Sequence, residues 1–138
     1  MRKAGCVGLI FGLESASPRV LELMNKGIDL HQVQRIVKEA AEVGLHCQVA
    51  FFVGFPTETA FDRELTLDFL RKNVIPFGGV LAFNGWFRIL KDMPIIRDKR
   101  FCGKITKWNT SEDLIDYYVI DSTTFEDMQQ LENMINKK

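Results

Sequence analysis

Three short, nearly continuous apolar runs, spaced by segments of helical period, dictate what this chain can fold into. The runs are Cys6-Val7-Gly8-Leu9-Ile10-Phe11-Gly12-Leu13, Val49-Ala50-Phe51-Phe52-Val53 and Val80-Leu81-Ala82-Phe83, the last with room to extend to Ile89. A run without polar alternation reads as a strand covered on both faces, which is the habit of parallel sheets. Parallel neighbours need a crossover long enough to hold a helix, and the intervening segments supply one each time. The order strand, helix, helix, strand, helix, strand predicts an α/β fold with right-handed crossovers.

Local signals place the helices. Ser17-Pro18 opens the first: the serine hydroxyl caps free N–H groups, and proline at the first position gives up none that was needed. Val20, Leu21 and Met24 form its short apolar stripe, and Gly27 is expected to end it in the left-handed conformation. Asp29 caps the second helix, with Gln32 placed to reach back and Ile28 and Val33 placed to staple the entry. Leu30, Val33, Ile36, Val37, Ala40 and Ala41 share one face, Gln34, Arg35, Lys38 and Glu42 the other, and Gly44 stops the helix. Thr59 caps the third helix, with Asp62 in its first turn and a predicted apolar face of Phe61, Leu65, Phe69 and Leu70. Beyond Ile89 the pattern weakens. Residues 91–109 read as irregular, 114–120 as one more strand, and Thr123-Thr124-Phe125-Glu126 as a capping box opening a terminal helix to about Asn136. The chain thus divides into a core over residues 1–90 and a C-terminal extension over 91–138.

Composition removes whole classes of function. Of 138 residues, 46% are apolar and 26% charged, which suits a packed core and excludes disorder for most of the chain. Lys and Arg (18) balance Asp and Glu (18), so there is no cationic surplus of the kind a nucleic-acid ligand requires. No apolar run reaches the ~18 residues of a membrane span, and no signal-type segment follows Met1-Arg2-Lys3. Cys6, Cys47 and Cys102 are odd in number and far apart, with no CxxC or CxxxCxxC. Neither a disulfide framework nor a self-contained metal site is signalled; the expectation is a reduced, cytoplasmic protein with no metal ligands. His31 and His46 stand apart from other ligand types and read as surface residues.

In parallel α/β sheets functional residues gather where strands end. Three segments leave such ends here: Gly12-Leu13-Glu14-Ser15, Phe52 to Glu58, and Asn84 to Arg88. Gly12 and Gly54 permit close approach of a ligand or a neighbouring backbone. Glu14 and Ser15 offer a carboxylate and a hydroxyl suited to the hydroxyls or amine of a small molecule. On the residues alone a plainer reading stands level with that one: Glu14 offsets the positive end of the following helix, and Gly54 turns the chain.

Taken in order, Gly5 to Ser17, Leu21-Glu22-Leu23-Met24-Asn25-Lys26-Gly27 and Phe51 to Thr59 resemble the second half of a radical S-adenosylmethionine enzyme, of the group often found behind a cobalamin-binding domain. The resemblance spans about residues 4–90. It implies a parallel-sheet fragment, about half of a (β/α)6 partial TIM barrel, these strands being the barrel's fourth, fifth and sixth. It implies S-adenosylmethionine and a [4Fe–4S] cluster as cofactors of the intact enzyme, and oxidoreductase or methyltransferase chemistry through a 5′-deoxyadenosyl radical. Glu14 and Ser15 match the polar position that holds the cofactor's ribose or methionine end. Val53 and Gly54 match the backbone that contacts adenine. Glu58 resembles the carboxylate closing that motif, one residue later than in the pattern Gly-x-x-Glu. Arg88 stands where a side chain reaches substrate or a methionine carboxylate, or simply faces water.

The departures carry equal weight. The CxxxCxxC loop and the glycine-rich segment that grips the methionine amine, which follow the first and second strands of such barrels, are absent from this sequence. Four-iron clusters need thiolates placed together. No cluster and no tightly bound cofactor is therefore expected on this chain, which alone is not expected to perform the reaction. Half a barrel has an open sheet edge and apolar faces. That predicts a homo-oligomer, or association with the N-terminal half of such a barrel, unless residues 110–138 cover the gap. Two other readings compete: a non-enzymatic interaction domain that oligomerises through its exposed sheet, and an unrelated α/β enzyme using Glu14 and Glu58 as acid and base.

Overall fold

In a computed structural model of the chain, residues 1–89 and 93–101 are described, with the backbone of 105–110 and 115–119. The elements are β1 (Gly8–Glu14), α1 (Pro18–Met24), α2 (Leu30–Glu42), β2 (His46–Val53), α3 (Ala60–Asn73), β3 (Val80–Trp86), β4 (Ile105–Thr110) and β5 (Ile115–Val119), with short 3-10 turns between some of them. Strands β1, β2 and β3 form a parallel sheet in that order, and β4 and β5 an antiparallel pair. The chain separates into two compact units. One comprises Met1–Val53 and Phe61–Phe87; the other takes Gly54–Ala60 and the described residues from Arg88 on.

In the first unit the predicted order of elements is found through β3. Central β2 alternates: Cys47, Val49, Phe51 and Val53 are buried, while His46 and Gln48 are exposed. Register sets Phe11 and Leu81 beside Val49, and the Phe51 and Phe83 rings lie 5.4 Å apart. The buried core comprises Cys47, Val49, Phe51 and Val53 of β2 with Val20, Leu21, Val37, Ala40, Leu67, Leu70 and Val74, and Phe11, Leu81 and Phe83 flank it half-buried. Each fully buried Val, Leu or Phe among them contributes about 1.5–3 kcal/mol. Among the described residues the opposite sheet face carries exposed apolar side chains. Ile10, Gln48 and Val80 form one row across it, with Ile10 76% exposed, and Gly12, Ala50 and Ala82 form the next.

Several expectations are corrected. The first apolar run is not covered on both faces. It becomes an edge strand, exposed at every second position, because no second layer among the described residues lies over it. An open cavity of about 370 Å³ lies along this strand and the start of α2, lined by Ile10, Gly12, Ile28, Val33 and Ile36 among others. The strand begins at Gly8 rather than Cys6, Cys47 lies inside β2 rather than before it, and β3 stops at Trp86 rather than Ile89. Helix α1 ends at Asn25 (φ 55°) rather than at Gly27, although Gly27 also takes the left-handed conformation expected of it (φ 60°). Asparagine tolerates that conformation, and either residue satisfies the same sequence signal. Asp29 caps α2 as expected, accepting from the N–H groups of His31 and Gln32.

The predicted face of α3 is also rotated. Phe61 is 71% exposed, and the buried positions are Asp62, Arg63, Thr66, Leu67 and Leu70. Residues 91–109, read as irregular, contain 3-10 turns and most of β4, where Ile105, Thr106 and Trp108 supply strand-forming residues between charges. The strand predicted at 114–120 is β5. The predicted terminal helix lies outside the described residues, as does most of the segment proposed to cover the sheet. Among the described residues no helix is long and apolar enough to cross a membrane.

Cys47 reports on this packing. Burial raises its thiol above the usual range, so less of it is thiolate at a given pH. Alkylation with iodoacetamide at pH 8, followed by peptide mapping, is expected to modify Cys6 at least about tenfold faster than Cys47, with Cys47 catching up only as the pH rises. Equal rates at pH 8 would contradict the burial of β2.

Candidate functional site

The carboxyl ends of β1 and β2 emerge side by side and in the same direction, since Glu14 is the register partner of Phe51 in a parallel pair. At the first exit the backbone does something uncommon. Glu14 has φ 66°, and the Ser15 N–H donates to Leu13 C=O at 2.8 Å. That is a γ-turn centred on a positive-φ residue with a side chain, a conformation costing about 1–3 kcal/mol. The turn folds the Glu14 side chain back along its own strand. A Cβ on Gly12 would stand 2.6 Å from Glu14 Oε1, so the carboxylate occupies space that only glycine leaves open. Lys26, just past α1, donates from Nζ to the same oxygen at 3.1 Å. The pair is partly exposed and adds little to stability, but it fixes where the charge sits.

Behind this turn lies a buried polar network reaching α3. Ser15 and Ser17 are almost completely buried, and Asp62 is 3% exposed. Thr66 Oγ1 accepts the Ala16 N–H at 3.0 Å and donates to Asp62 C=O at 3.1 Å. It has one hydrogen, so its 3.1 Å contact with Ser15 Oγ is donated by Ser15. Ser15 Oγ in turn accepts the Ser17 N–H at 3.1 Å. Ser17 Oγ accepts the Val20 N–H, capping α1, and donates to Asp62 Oδ1 at 2.6 Å. Arg19 pairs with the Asp62 carboxylate through both Nε and its terminal nitrogen. No buried side-chain N or O atom among the described residues lacks a partner.

The predicted site residues therefore fall into distinct places. Glu14 lies at the β1 exit with its carboxylate over Gly12. Ser15 lies behind it, its hydroxyl engaged by Thr66 and Ser17. Val53 is buried at the end of β2, and its C=O accepts the Phe87 N–H at 2.7 Å. Gly54 and Glu58 belong to the second unit. There Glu58, 4% exposed, accepts the Gly54 N–H on Oε2 at 2.5 Å, and its own N–H donates to Phe55 C=O at 2.8 Å. Gly54 (φ 81°) and Thr57 (φ 72°) supply the left-handed positions of this tight turn, and Phe55 sits edge-on to Phe101. Glu58 thus clamps its own loop. Arg88 is exposed.

Sequence reasoning missed Lys26, Arg19 and Thr66, and saw in Asp62 only a helix-end charge. Their one signal was the pair of polar residues four apart, Asp62 and Thr66, on a helix otherwise read by its apolar stripe. An iron–sulfur cluster does not fit the described residues. Cys47 is buried in β2 and Cys6 precedes β1, and no group of three or more His, Cys, Asp or Glu is placed to hold a metal.

The Glu58 clamp predicts a graded series. Glu58→Ala is expected to destabilise the fold by about 1.5–3 kcal/mol in urea unfolding, the range for a hydrogen bond to a charged group. Glu58→Gln, which keeps an acceptor, should recover part of that loss.

Comparison with known proteins gives this geometry a context. Residues 1–70 match the family described as the Radical SAM superfamily. An uncharacterized methyltransferase of Pyrococcus horikoshii is 46% identical over 72 residues, 52% of this chain and 16% of its own length. The ribosomal protein uS12 methylthiotransferase of Thermus thermophilus is 36% identical over 74 residues, 52% of this chain and 17% of its own. The tRNA-2-methylthio-N(6)-dimethylallyladenosine synthase of Oleidesulfovibrio alaskensis is 30% identical over 112 residues, 80% of this chain and 23% of its own. The chain thus spans under a quarter of the length of these relatives. With three parallel strands alternating with helices and half its length matched by the family, the chain belongs to the radical SAM superfamily.

Proposed function

We propose that this chain forms the cofactor-facing part of a methyl- or methylthio-transferring radical SAM barrel and holds part of the S-adenosylmethionine pocket without the cluster. The observation that carries the reading is the β1 exit. A carboxylate is held over a glycine, beside the end of a parallel strand, in a backbone conformation that costs energy to keep. Unfavourable conformations persist where the surroundings over-determine them, and they concentrate at ligand sites. Held by Lys26 Nζ at 3.1 Å, the Glu14 carboxylate presents acceptor oxygens, which suits the two hydroxyls of a ribose. The backbone at Val53 and Gly54 is assigned to adenine, and Ser15 supports Glu14 from behind. Glu58 shapes the loop that follows β2. When bound in an intact enzyme, S-adenosylmethionine supplies the radical; this chain's residues bind and orient it. The relatives' names speak of methyl and methylthio transfer, and they support that class over oxidoreductase chemistry. They lend no support to a preceding cobalamin domain, which is not part of this reading.

The open edge of β1 and the free sheet face are the surfaces through which the rest of such a barrel would pair. Alone, the chain is expected to self-associate through them, as unpaired edges do. Sedimentation should show a dimer or larger species, and a clean monomer across the micromolar range would count against that expectation.

Titrating S-adenosylmethionine into the isotope-labelled chain tests the site itself. Amide shifts are expected at Gly12 to Ser15 and at Val53 and Gly54, with weak affinity, of the order of millimolar to tens of micromolar for a partial pocket. Saturating ligand with no change at Gly12 to Ser15 would sink the proposal.

A further inference from the structure

Glu14 is the residue on which the proposed reading leans, and the buried loop that follows its γ-turn takes hydrogen bonds from a helix far along the chain. We infer that Thr66 and Asp62 of α3 are positioning residues that lock Glu14 in its positive-φ turn, acting through Ser15 and Ser17, so that the carboxylate is set over Gly12 before any ligand arrives. The inference rests on the reading of the β1 exit as a cofactor-facing site.

The argument is one of accounting. Residues 15–17 are all that joins β1 to α1, and all three are buried. A segment buried this way must pair every N–H it carries. The Ser15 N–H takes Leu13 C=O, which closes the γ-turn itself. The Ala16 N–H takes Thr66 Oγ1, and the Ser17 N–H takes Ser15 Oγ. The Ser15 hydroxyl is held in place to accept that bond because it donates to Thr66. Thr66 Oγ1 is therefore the one atom that completes two partners on this loop, and its own proton is spent on Asp62 C=O. At the far end the Asp62 carboxylate takes the Ser17 hydroxyl and the Arg19 guanidinium, fixing the start of α1 against α3. Both ends of the loop are tied to one helix, with the costly residue just before the first tie. Replace the Thr66 hydroxyl by a methyl group and the Ala16 N–H and Ser15 O–H lose their acceptor together. The cheapest repair is for the loop to turn and seek water, which releases Glu14 from φ 66°.

A simpler role, that these groups only satisfy one another in the core, predicts lost stability and nothing specific at Glu14. The experiment therefore reads Glu14 directly, in the full chain. Amide-to-Hα couplings and carbon shifts are measured for wild type, Thr66→Val and Thr66→Ser. Thr66→Val is expected to move Glu14 out of the positive-φ region while the amide shifts of Val49 and Phe51 in β2 stay in place. Thr66→Ser keeps the hydroxyl and should restore the wild-type pattern. In titrations with S-adenosylmethionine, Thr66→Val should bind roughly tenfold more weakly, about 1.4 kcal/mol, and Thr66→Ser within about twofold of wild type. Glu14 keeping its turn in Thr66→Val overturns the inference, as does Thr66→Ser behaving like Thr66→Val. Should Thr66→Val not fold, Ser15→Ala, which removes the hydroxyl linking Thr66 to the loop, is read by the same Glu14 couplings: loss of positive φ supports the inference and an unchanged turn overturns it. If wild type binds no S-adenosylmethionine, the cofactor reading falls by itself, and the Glu14 couplings still decide whether the clamp exists.

Discussion

A handful of buried hydroxyls and one buried carboxylate, joining the end of β1 to the middle of α3, govern the shape of the first unit. The connection from β1 to α1 is three residues long and buried away from solvent. Its partners arrive from a helix some 45 to 50 positions later in the chain. An orphaned buried donor costs about 1–3 kcal/mol against a typical net stability of about 5–15 kcal/mol. The strand exit therefore acquires a defined form only when α3 has docked, and local structure there is a product of tertiary structure.

That dependence explains what was legible in the sequence and what was not. The order of elements along the chain, the parallel sense and the starts of α1 and α2 follow from the sequence pattern: the apolar runs alternating with helical segments, Ser17-Pro18 and Asp29. The existence of α3 is equally plain. Its buried face is not, because hydrophobic periodicity favours Phe61 and discounts Asp62 and Thr66, whose burial is allowed only by partners elsewhere in the chain. Glu14 and Ser15 stand out as polar residues closing an apolar run, yet nothing local says that one projects while the other is consumed in support. Gly27 and Asn25 both adopt the left-handed conformation, so local signals leave open which of them ends the helix.

The edge strand teaches a related lesson. Its run from Cys6 to Leu13 is written for a position covered on both sides, and in the described residues only one side is covered. Ile10 and Val80, exposed at either edge of the same face, are apolar positions awaiting a second layer. The proposed reading accounts for this: in a partial barrel of the radical SAM kind, further strands would cover the face that three strands leave exposed.

The brevity of α1 has a consequence of its own. With seven residues the helix advances only about 10 Å, and Asn25 reverses the chain before it has descended far along the sheet. Lys26 is thereby returned to the rim it left, within reach of Glu14. One more helical turn would carry that ammonium roughly 5 Å further away and strand the carboxylate without its counter-charge. Helix length here acts as a ruler: the count of residues between Ser17 and Lys26 decides whether the rim is electrically balanced.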